Sequence, residues 1–483
     1  MCSSEIHCSW GTKNLMRCGS RLFGSCRHIK RYFRSISPVP QRAAEARIDR
    51  RSLGSKTTNA ATRKTYNLTN DPLRQSMRHS IERLWILQIY YSVNKITKKD
   101  EVMRRKIYLS SPCMCGEEQK YVQEAFDTNW IAPLGKNVNE FENEIKHYIG
   151  TKGAVAMSSG TAAIHMALRA LGVSNGDIVF CQSMTFSASA NPIVYQNGTP
   201  VFIDSEPDTW NMSPEALKKA FEKYPHPKAV IVVHLYGTPA KLDEIMEICA
   251  EHNVPLVEDA AEGLGGEYKG KKLGSFGKYG ILSFNGNKII TTSGGGMLVG
   301  DDEEELKHVL KWITQAREPA RWYQHEELGF NYRMSNIVAG IGRGQMTALE
   351  NHVEQKTKLY ERYKKVFEDL PITMQPYEEG TKPNHWLSAA TIDKTSNVSP
   401  FTIMDALAEE NVETRPIWKP MHMQPFYKDC DYFTHNEDGT SVSEDIFARG
   451  LCLPSDFYPQ MTPDEHAEIM EIIREQFECT LSM

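Results

Sequence analysis

Long apolar runs are absent from this 483-residue sequence. No stretch approaches the roughly 20 consecutive apolar residues that a membrane-spanning helix requires. The best candidate, Leu84 to Val93, is short and contains Gln88. A small-residue cleavage site after an apolar run is also missing near the start, which argues against secretion. We therefore expect no membrane partner.

Cysteines are few, and their spacing forms no disulfide framework. Four of the 11 lie in the first 26 residues, whereas Cys181, Cys249 and Cys452 stand among apolar residues. A reduced, buried thiol is the usual state in such surroundings. Cys113 and Cys115 form a C-x-C pair, but no second pair follows to complete the four ligands of a structural metal site. The pattern predicts no metal and a reducing, cytoplasmic location.

Acidic residues are scarce only in the first part of the chain. Residues 1–106, here called the basic head, hold 23 Lys and Arg against 7 Asp and Glu, whereas the whole chain has a net charge of −5. So abrupt a change of sign indicates a boundary near Lys106. The composition fits a disordered extension, a transit peptide, or a translation start placed upstream of Met103. The basic head contains no recognisable nucleic-acid-binding module, so nucleic acid is not an expected partner.

From Ile107 onward, short apolar runs alternate with amphipathic segments. We expect seven strands, at Ala154–Met157, Ile178–Cys181, Pro200–Asp204, Ala229–Leu235, Val254–Asp259, Gly280–Phe284 and Gly296–Val299. Helices are predicted at Gly116–Thr128, Val138–Ile149, Ala162–Leu171, Pro214–Lys223 and Leu242–His252. Because strands that are apolar throughout are covered on both faces, the pattern predicts an α/β fold with a mostly parallel sheet. This large domain is expected to span residues 107–350.

The last part of the chain has a different pattern. One long amphipathic helical run is predicted from Asn336 to Leu370, as a bridge between two domains. Beyond it, helices and strands are mixed. A smaller α+β C-terminal domain is therefore predicted over residues 351–483.

The first chemical motif follows the strand that ends at Met157. Ser158-Ser159-Gly160-Thr161 leads directly into an alanine-rich helix. Unpaired N–H groups and the dipole favour an anion at such a helix N-terminus, and Gly160 lets the backbone approach it closely. These residues indicate a phosphate site. A purely structural helix cap is the alternative.

An acid and a lysine follow two later strands. Asp259 stands in Val257-Glu258-Asp259-Ala260-Ala261, at a strand end where α/β folds bind ligands. There it can hold a ring N–H⁺, although a helix cap is an equal alternative. Lys288 ends Ser283-Phe284-Asn285-Gly286-Asn287-Lys288, where desolvation makes an amine nucleophilic toward an aldehyde. An exposed turn lysine is the alternative, but the order along the chain, with the phosphate site first, then the acid and then the lysine, favours a shared site.

These motifs resemble those of the DegT-type sugar aminotransferases, a branch of the fold type I pyridoxal-phosphate enzymes. The resemblance covers about 375 residues from Ile107 onward and includes Gly329-Phe330-Asn331-Tyr332-Arg333. It implies a fold type I transferase with a mostly parallel, mixed seven-stranded sheet. The Asn285-Gly286-Asn287 variant and the stretch from Glu413 to His422 most resemble bacterial enzymes that make UDP-linked 4-amino-4,6-dideoxy-N-acetyl sugars.

The resemblance implies a set of residues that bind pyridoxal 5'-phosphate. Lys288 would carry the cofactor and move the reacting proton, and Asp259 would keep the ring nitrogen protonated. Phe186 would stack on the ring, unless it is an ordinary core aromatic. Glu262 would face the cofactor or sugar, unless it caps a helix. The phosphate would be bound by Ser159, Gly160, Thr161 and Ser283, and by Asn331 of the neighbouring subunit, so that a homodimer would share its active sites.

A second group of residues is expected to bind the acceptor. Arg415, Trp418, Lys419 and His422 are candidates for its diphosphate or sugar, and Trp130 is expected to line the same pocket. Cationic side chains beside an aromatic ring suit a nucleotide diphosphate. Contacts between domains are the alternative for this cluster.

The predicted function is transfer of an amino group from L-glutamate to a nucleotide-linked 4-keto-6-deoxy sugar. The expected acceptor is UDP-N-acetyl-4-keto-6-deoxyhexosamine, for surface polysaccharide or glycan synthesis. A related class of enzymes, the sugar dehydratases, would carry histidine at position 288. The lysine found there argues against that alternative. A non-catalytic cofactor-binding regulator would need a nucleic-acid-binding module in the basic head.

Overall fold

The computed structural model describes residues 105–480. Apart from its last two residues, the basic head, with the disorder predicted for it, lies outside the described residues. Within the described range, no helix combines the length and the apolar composition needed to cross a membrane.

Fifteen strands and twelve α-helices are labelled in chain order within the described range. The strands are β1 Gly153–Met157, β2 Ile178–Gln182, β3 Thr199–Ile203, β4 Ala229–Val233, β5 Leu256–Asp259, β6 Glu267–Tyr268, β7 Lys271–Lys272, β8 Tyr279–Ser283, β9 Gly296–Gly300, β10 Ile372–Met374, β11 Thr381–Lys382, β12 Ser388–Ile392, β13 Arg415–Pro416, β14 Tyr432–Phe433 and β15 Gly450–Leu453. The helices are α1 Glu118–Asp127, α2 Lys136–Ile149, α3 Gly160–Ala170, α4 Asn191–Tyr195, α5 Pro214–Lys223, α6 Leu242–Glu251, α7 Glu303–Ile313, α8 Asn336–Met346, α9 Leu349–Val366, α10 Pro400–Glu409, α11 Val442–Arg449 and α12 Pro463–Thr480.

The largest sheet has eight strands in the order β1-β9-β8-β5-β4-β2-β3-β14. β9 runs antiparallel to both of its neighbours, and the other five pairings are parallel. All seven predicted strands are present within a residue or two of their expected ends. The eighth, β14, comes from the C-terminal part of the chain and adds two residues to the edge beside β3. The sheet is therefore mixed and mostly parallel, as predicted, but one strand wider.

Apolar clusters cover both faces of this sheet. Val155 and Met157 of β1 belong to one cluster, whereas Ala156 between them belongs to the other. Alternate side chains of a strand point to opposite faces, so the two clusters lie on opposite sides. This explains why the strands are apolar along their whole length.

A second, antiparallel sheet lies in the C-terminal part of the chain, with the order β10-β12-β15-β13. Its apolar cluster includes Tyr363 of α9, Ile403 of α10 and Ile469 of α12. Ile107 also belongs to this cluster and forms a parallel bridge with Val412. The predicted boundary at residues 350 and 351 stays a prediction; Ile107, β11 and β14 each pair with residues on the other side of it.

The predicted helix from Asn336 to Leu370 is two helices. α8 ends at Met346 and α9 begins at Leu349. The Thr347 hydroxyl donates to the Gly344 carbonyl at 2.7 Å, as expected at a helix end. The amphipathic pattern continues across the break, so the sequence alone did not reveal it.

Candidate active site

A cavity of about 1110 Å³ opens at the carboxyl ends of the parallel strands. Residues that follow β1, β2, β5 and β8 contribute to its wall because these strands run in the same direction. The predicted residues that line it are Ser159, Gly160, Thr161, Phe186, Asp259, Glu262, Ser283, Lys288, Arg415, Trp418 and Lys419. Three separate sequence motifs are therefore brought to one site.

The predicted phosphate site at Ser158–Thr161, here called the anion cup, forms where α3 begins. The Ser159 hydroxyl accepts the Ala162 N–H at 3.1 Å, so Ser159 caps the helix and also lines the cavity. A Cβ placed on Gly160 would lie 3.1 Å from Cβ of Ser283. Absence of a side chain at Gly160 thus lets the end of β8 and the start of α3 meet, with the Ser283 hydroxyl beside the free N–H groups.

Asp259 is a buried carboxylate at the end of β5. Its Oδ2 accepts the Ser189 hydroxyl at 2.6 Å, and its Oδ1 accepts the Ala261 N–H at 3.1 Å. Burial raises the pKa of this carboxyl, although the two hydrogen bonds and the nearby Lys288 oppose the rise. A turn rather than a helix follows Asp259, so the helix-cap alternative is wrong for this residue and for Glu262.

Lys288 is not a surface lysine, because its side chain is only 12% exposed. Its Nζ donates to Glu262 Oε1 at 3.2 Å and lies 3.9 Å from the centroid of the Trp386 ring. Glu262 Oε2 accepts the Tyr236 N–H at 2.7 Å. Burial raises the pKa of Glu262, and Lys288 lowers it in part. The amine is thus held between a carboxylate and an aromatic face inside the cavity.

Tyr236 links the lysine side of the cavity to the acceptor side. It is fully buried and adopts a φ of 55°, a conformation that non-glycine residues seldom adopt. Its N–H donates to Glu262, and its hydroxyl accepts the Trp418 N–H at 3.0 Å. These contacts place Trp418 relative to the carboxylate that holds Lys288.

The mouth of the cavity is aromatic and cationic. Phe186 is 59% exposed, so it is not a core aromatic, and its ring centroid lies 5.6 Å from that of Trp418. Arg415 pairs with Glu413, and Lys419 lies on the same wall. Since Trp418 also packs against Tyr236, this wall combines internal packing with an open polar surface.

Three predicted site residues lie elsewhere in this chain. His422 stacks on Tyr432 at 3.6 Å, and its two ring nitrogens contact the Ser183 hydroxyl and Glu444. Its side chain therefore supports the loop after β2 instead of lining the cavity, which corrects its predicted contact with the acceptor. Trp130 is 50% exposed and lies outside the cavity of its own chain, so its predicted contact with the acceptor stays a prediction. Asn331 is exposed and outside its own cavity, so its predicted contact with a neighbouring subunit stays a prediction.

Ser189, Tyr236 and Trp386 were missed in the sequence. Each is an ordinary residue type in no recognisable motif, and each touches a charged group only through the fold. A hint for Ser189 was its position soon after β2, close to Phe186.

Comparison with known proteins places this geometry in a family. Residues 112–474 match the model of the DegT/DnrJ/EryC1/StrS aminotransferase family. The chain belongs to this family. That membership confirms the predicted fold class and aminotransferase activity, and it confirms pyridoxal phosphate, the cofactor of this family, as the predicted cofactor.

Individual relatives agree with this assignment. EpsN of Bacillus subtilis (strain 168), assigned as a pyridoxal phosphate-dependent aminotransferase, is 52% identical over 380 residues, which are 78% of this chain and 97% of EpsN. GDP-perosamine synthase of Escherichia coli O157:H7 is 35% identical over 75% of this chain and 96% of its own. A solved DegT DnrJ EryC1 StrS aminotransferase from Brucella abortus is 26% identical, with a TM-score of 0.69 over 75% of this chain and 95% of that one.

The DegT-family cavity fits pyridoxal phosphate in charge and in shape. Both hydrogen-bond donors on Asp259 are neutral, so its buried carboxylate suits a protonated ring nitrogen as a charged partner in direct contact. The cup around Gly160 suits the phosphate, and Lys288 supplies the amine. Ser159, Gly160, Thr161, Ser283, Asp259 and Lys288 are the residues that would hold the cofactor.

Proposed function

We propose that this DegT-family aminotransferase moves an amino group from L-glutamate to the 4-keto carbon of UDP-N-acetyl-4-keto-6-deoxyhexosamine. The product would serve surface polysaccharide or glycan synthesis. The observation that carries the proposal is the buried Lys288 amine, 3.2 Å from Glu262 and in the same cavity as the cationic wall of Arg415 and Lys419. One cavity thus offers both a proton-moving amine and groups that suit an anionic nucleotide.

Pyridoxal phosphate, when bound, supplies an electron sink for the carbon that loses its proton. Lys288 Nζ takes the proton from the α-carbon of the donor and later delivers a proton to C4 of the sugar. Glu262 stabilises the protonated amine, and Asp259 stabilises positive charge at the opposite end of the site. The aromatic walls of Trp386 and Trp418 limit the access of water.

The residues proposed to bind the acceptor offer positive charge and apolar surface. Arg415 is held by Glu413 at the cavity wall, with its side chain 64% exposed. A guanidinium in that position can bind a diphosphate through two parallel hydrogen bonds. Lys419 adds a second positive charge, and the adjacent rings of Phe186 and Trp418 offer apolar surface to the sugar or base.

A homodimer with shared active sites is part of the proposal. Asn331 ends a loop in which Trp322 and Tyr323 are 68% and 79% exposed. Trp130 is another exposed aromatic residue, held through its carbonyl by Asn336 at 2.7 Å. Large exposed aromatic residues are typical of protein interfaces. The partner's copy of this loop would bring its asparagine to the phosphate.

A cytoplasmic location also belongs to the proposal. Cys181, Cys249 and Cys452 are buried and free. Free thiols of this kind are usual in proteins of reducing compartments.

A GDP-linked 4-keto-6-deoxy sugar is the second candidate acceptor. The GDP-perosamine synthases of Escherichia coli and Vibrio cholerae are 35% and 33% identical to this chain over most of its length.

The acceptor can be identified by mass. The purified protein with pyridoxal phosphate and L-glutamate is mixed with UDP-, dTDP- and GDP-linked 4-keto-6-deoxy sugars, and the products are weighed. We expect the UDP-N-acetyl sugar to gain an amine at the highest rate. Faster amination of the GDP sugar would favour the second candidate, and failure to aminate any sugar would refute the substrate class.

A further inference from the structure

Lys356 of α9 is a buried lysine outside the cavity wall. Its side chain is nearly inaccessible to solvent, and Nζ donates to Ser110 Oγ at 3.1 Å, to the Trp386 carbonyl at 3.0 Å and to the Ser455 carbonyl at 2.7 Å. Burial lowers its pKa to about 8, while the charges of Asp456 and Cys113 act to raise it. An ammonium group has three hydrogens, and each one has an acceptor here.

Two of these acceptor residues converge on the peptide that precedes Lys288. Ser110 Oγ donates to the Asn287 carbonyl at 3.0 Å, and Trp386 Nε1 donates to the same carbonyl at 2.6 Å. The Trp386 ring is also the surface that Lys288 Nζ lies against. Lys356 is therefore linked, through Ser110 and Trp386, to the backbone before Lys288 and to the residue whose ring lies beside its amine.

The same face of α9 also contacts the residue that follows Lys288. His352, one helical turn before Lys356, contacts the Ile289 carbonyl through Nδ1 at 3.0 Å. Since a carbonyl only accepts, Nδ1 carries the proton in this contact. α9 thus contacts the Ile289 carbonyl directly and the Asn287 carbonyl through Ser110 and Trp386.

We propose that Lys356 is the positioning residue for Lys288, acting through Ser110 and Trp386. A charged donor forms stronger hydrogen bonds than a neutral one, and burying it costs free energy that these contacts must offset. These contacts determine the position of the Lys288 amine. That position matters because the amine must reach the cofactor aldehyde first and the substrate α-carbon afterwards. The inference rests on the proposed function of Lys288.

Two variants test this role. Lys356→Met removes the three donors and keeps the apolar stem, and Ser110→Ala removes one link to Asn287. We expect Lys356→Met to slow formation of the visible band, when pyridoxal phosphate is added to cofactor-free protein, by roughly tenfold to a hundredfold. The deuterium isotope effect with α-deuterated glutamate should rise, because proton transfer by a misplaced amine limits the rate. Ser110→Ala should change both in the same direction by a smaller factor.

Lys219→Met is the control, since Lys219 Nζ likewise donates to three acceptors, in this case the carbonyls of Thr434, His435 and Asn436, away from the cavity. It should keep both wild-type values. Wild-type band formation in Lys356→Met and Ser110→Ala would overturn the inference, and if Lys356→Met does not fold, Ser110→Ala decides alone. Failure of the proposed function is distinct, because the wild type itself would then form no band or would not react with glutamate.

Discussion

At the scale of single residues, Asp259 shows how burial sets the chemistry of a side chain. Its two hydrogen-bond donors, Ser189 and Ala261, are neutral, and burial raises the pKa of its carboxyl. A protonated ring nitrogen next to this carboxylate would remove that cost and would itself be kept protonated. The acid is thus prepared for a cationic partner before that partner binds.

Asp259→Asn tests this pairing, because the amide has nearly the same shape and no charge. We expect the reaction with L-glutamate to slow by roughly a hundredfold or more, as measured by stopped-flow absorbance of the cofactor. Ser189→Ala keeps the carboxylate and should cost much less. Near-wild-type rates in Asp259→Asn would contradict the assigned role.

Arg415→Ala tests the acceptor wall. Loss of a charge-assisted contact should raise the KM of the sugar nucleotide by roughly tenfold to a hundredfold. The separate reaction with glutamate, followed by single-turnover kinetics, should change far less. Arg474→Ala is a suitable control, since Arg474 pairs with Asp369 and does not line the cavity. An equal loss in both variants would argue against direct contact between Arg415 and the acceptor.

The residues found from sequence are those in contiguous motifs. Lys288, Asp259 and the Gly160 cup each follow a strand, and the carboxyl ends of parallel strands meet, so their convergence could be predicted. Ser189 and Trp386 reach Asp259 and Lys288 only through the fold. His422 belongs to a motif, but the motif does not specify which side of the loop its ring faces.

At the scale of elements, seven strands of the large sheet could be predicted because each is a short apolar run. β14 could not, since two residues have no periodicity and pair only where β3 leaves an open edge. The break between α8 and α9 was also invisible, because the amphipathic pattern continues through it. Pairing and helix breaks of this kind depend on tertiary contacts.

Gly296 at the start of β9 is where the elements around the cup pack most closely. A Cβ there would lie 2.2 Å from the Ser159 backbone, so Gly296→Ala should destabilise the fold by about 1–3 kcal/mol or more. It should also weaken cofactor binding, because Ser159 borders the cup. Urea unfolding and cofactor titration measure the two effects.

Gly294→Ala, two residues earlier, is the matched control, since a Cβ there meets nothing within 4 Å. It should leave the free energy of unfolding nearly unchanged. Equal stability in the two variants would show that the close approach at Gly296 is unimportant.

At the scale of the whole molecule, the proposed dimer places Lys288 and Asn331 of one active site on different chains. Lys288→Ala and Asn331→Ala homodimers should each be weakly active. After mixing and exchange of subunits, about a quarter of the sites should regain both residues, so activity should rise well above that of either variant. Failure to rise, with exchange shown by mass, would contradict shared sites.

Lys356 should also influence how stability depends on pH. Its pKa is about 8 in the folded protein against a usual value of 10.5. Between these values the unfolded chain binds the proton and the folded chain does not, so stability rises with pH; below pH 8 both states bind it and the contribution is constant. Relative to Lys356→Met, the wild type should gain on the order of 1–3 kcal/mol from pH 8 to 10.5 in urea unfolding. If the difference in free energy of unfolding between the wild type and Lys356→Met stayed constant or changed in the opposite direction over this range, the lowered pKa of Lys356 would be contradicted.

The site of covalent attachment is the most direct test of the central claim. Borohydride reduction of the yellow protein, followed by digestion and mass spectrometry, should find reduced pyridoxal phosphate on the peptide that contains Lys288, and none in Lys288→Ala. An adduct on another lysine, or an unmodified Lys288 peptide in the reduced wild type, would contradict the assignment of this cavity as the active site.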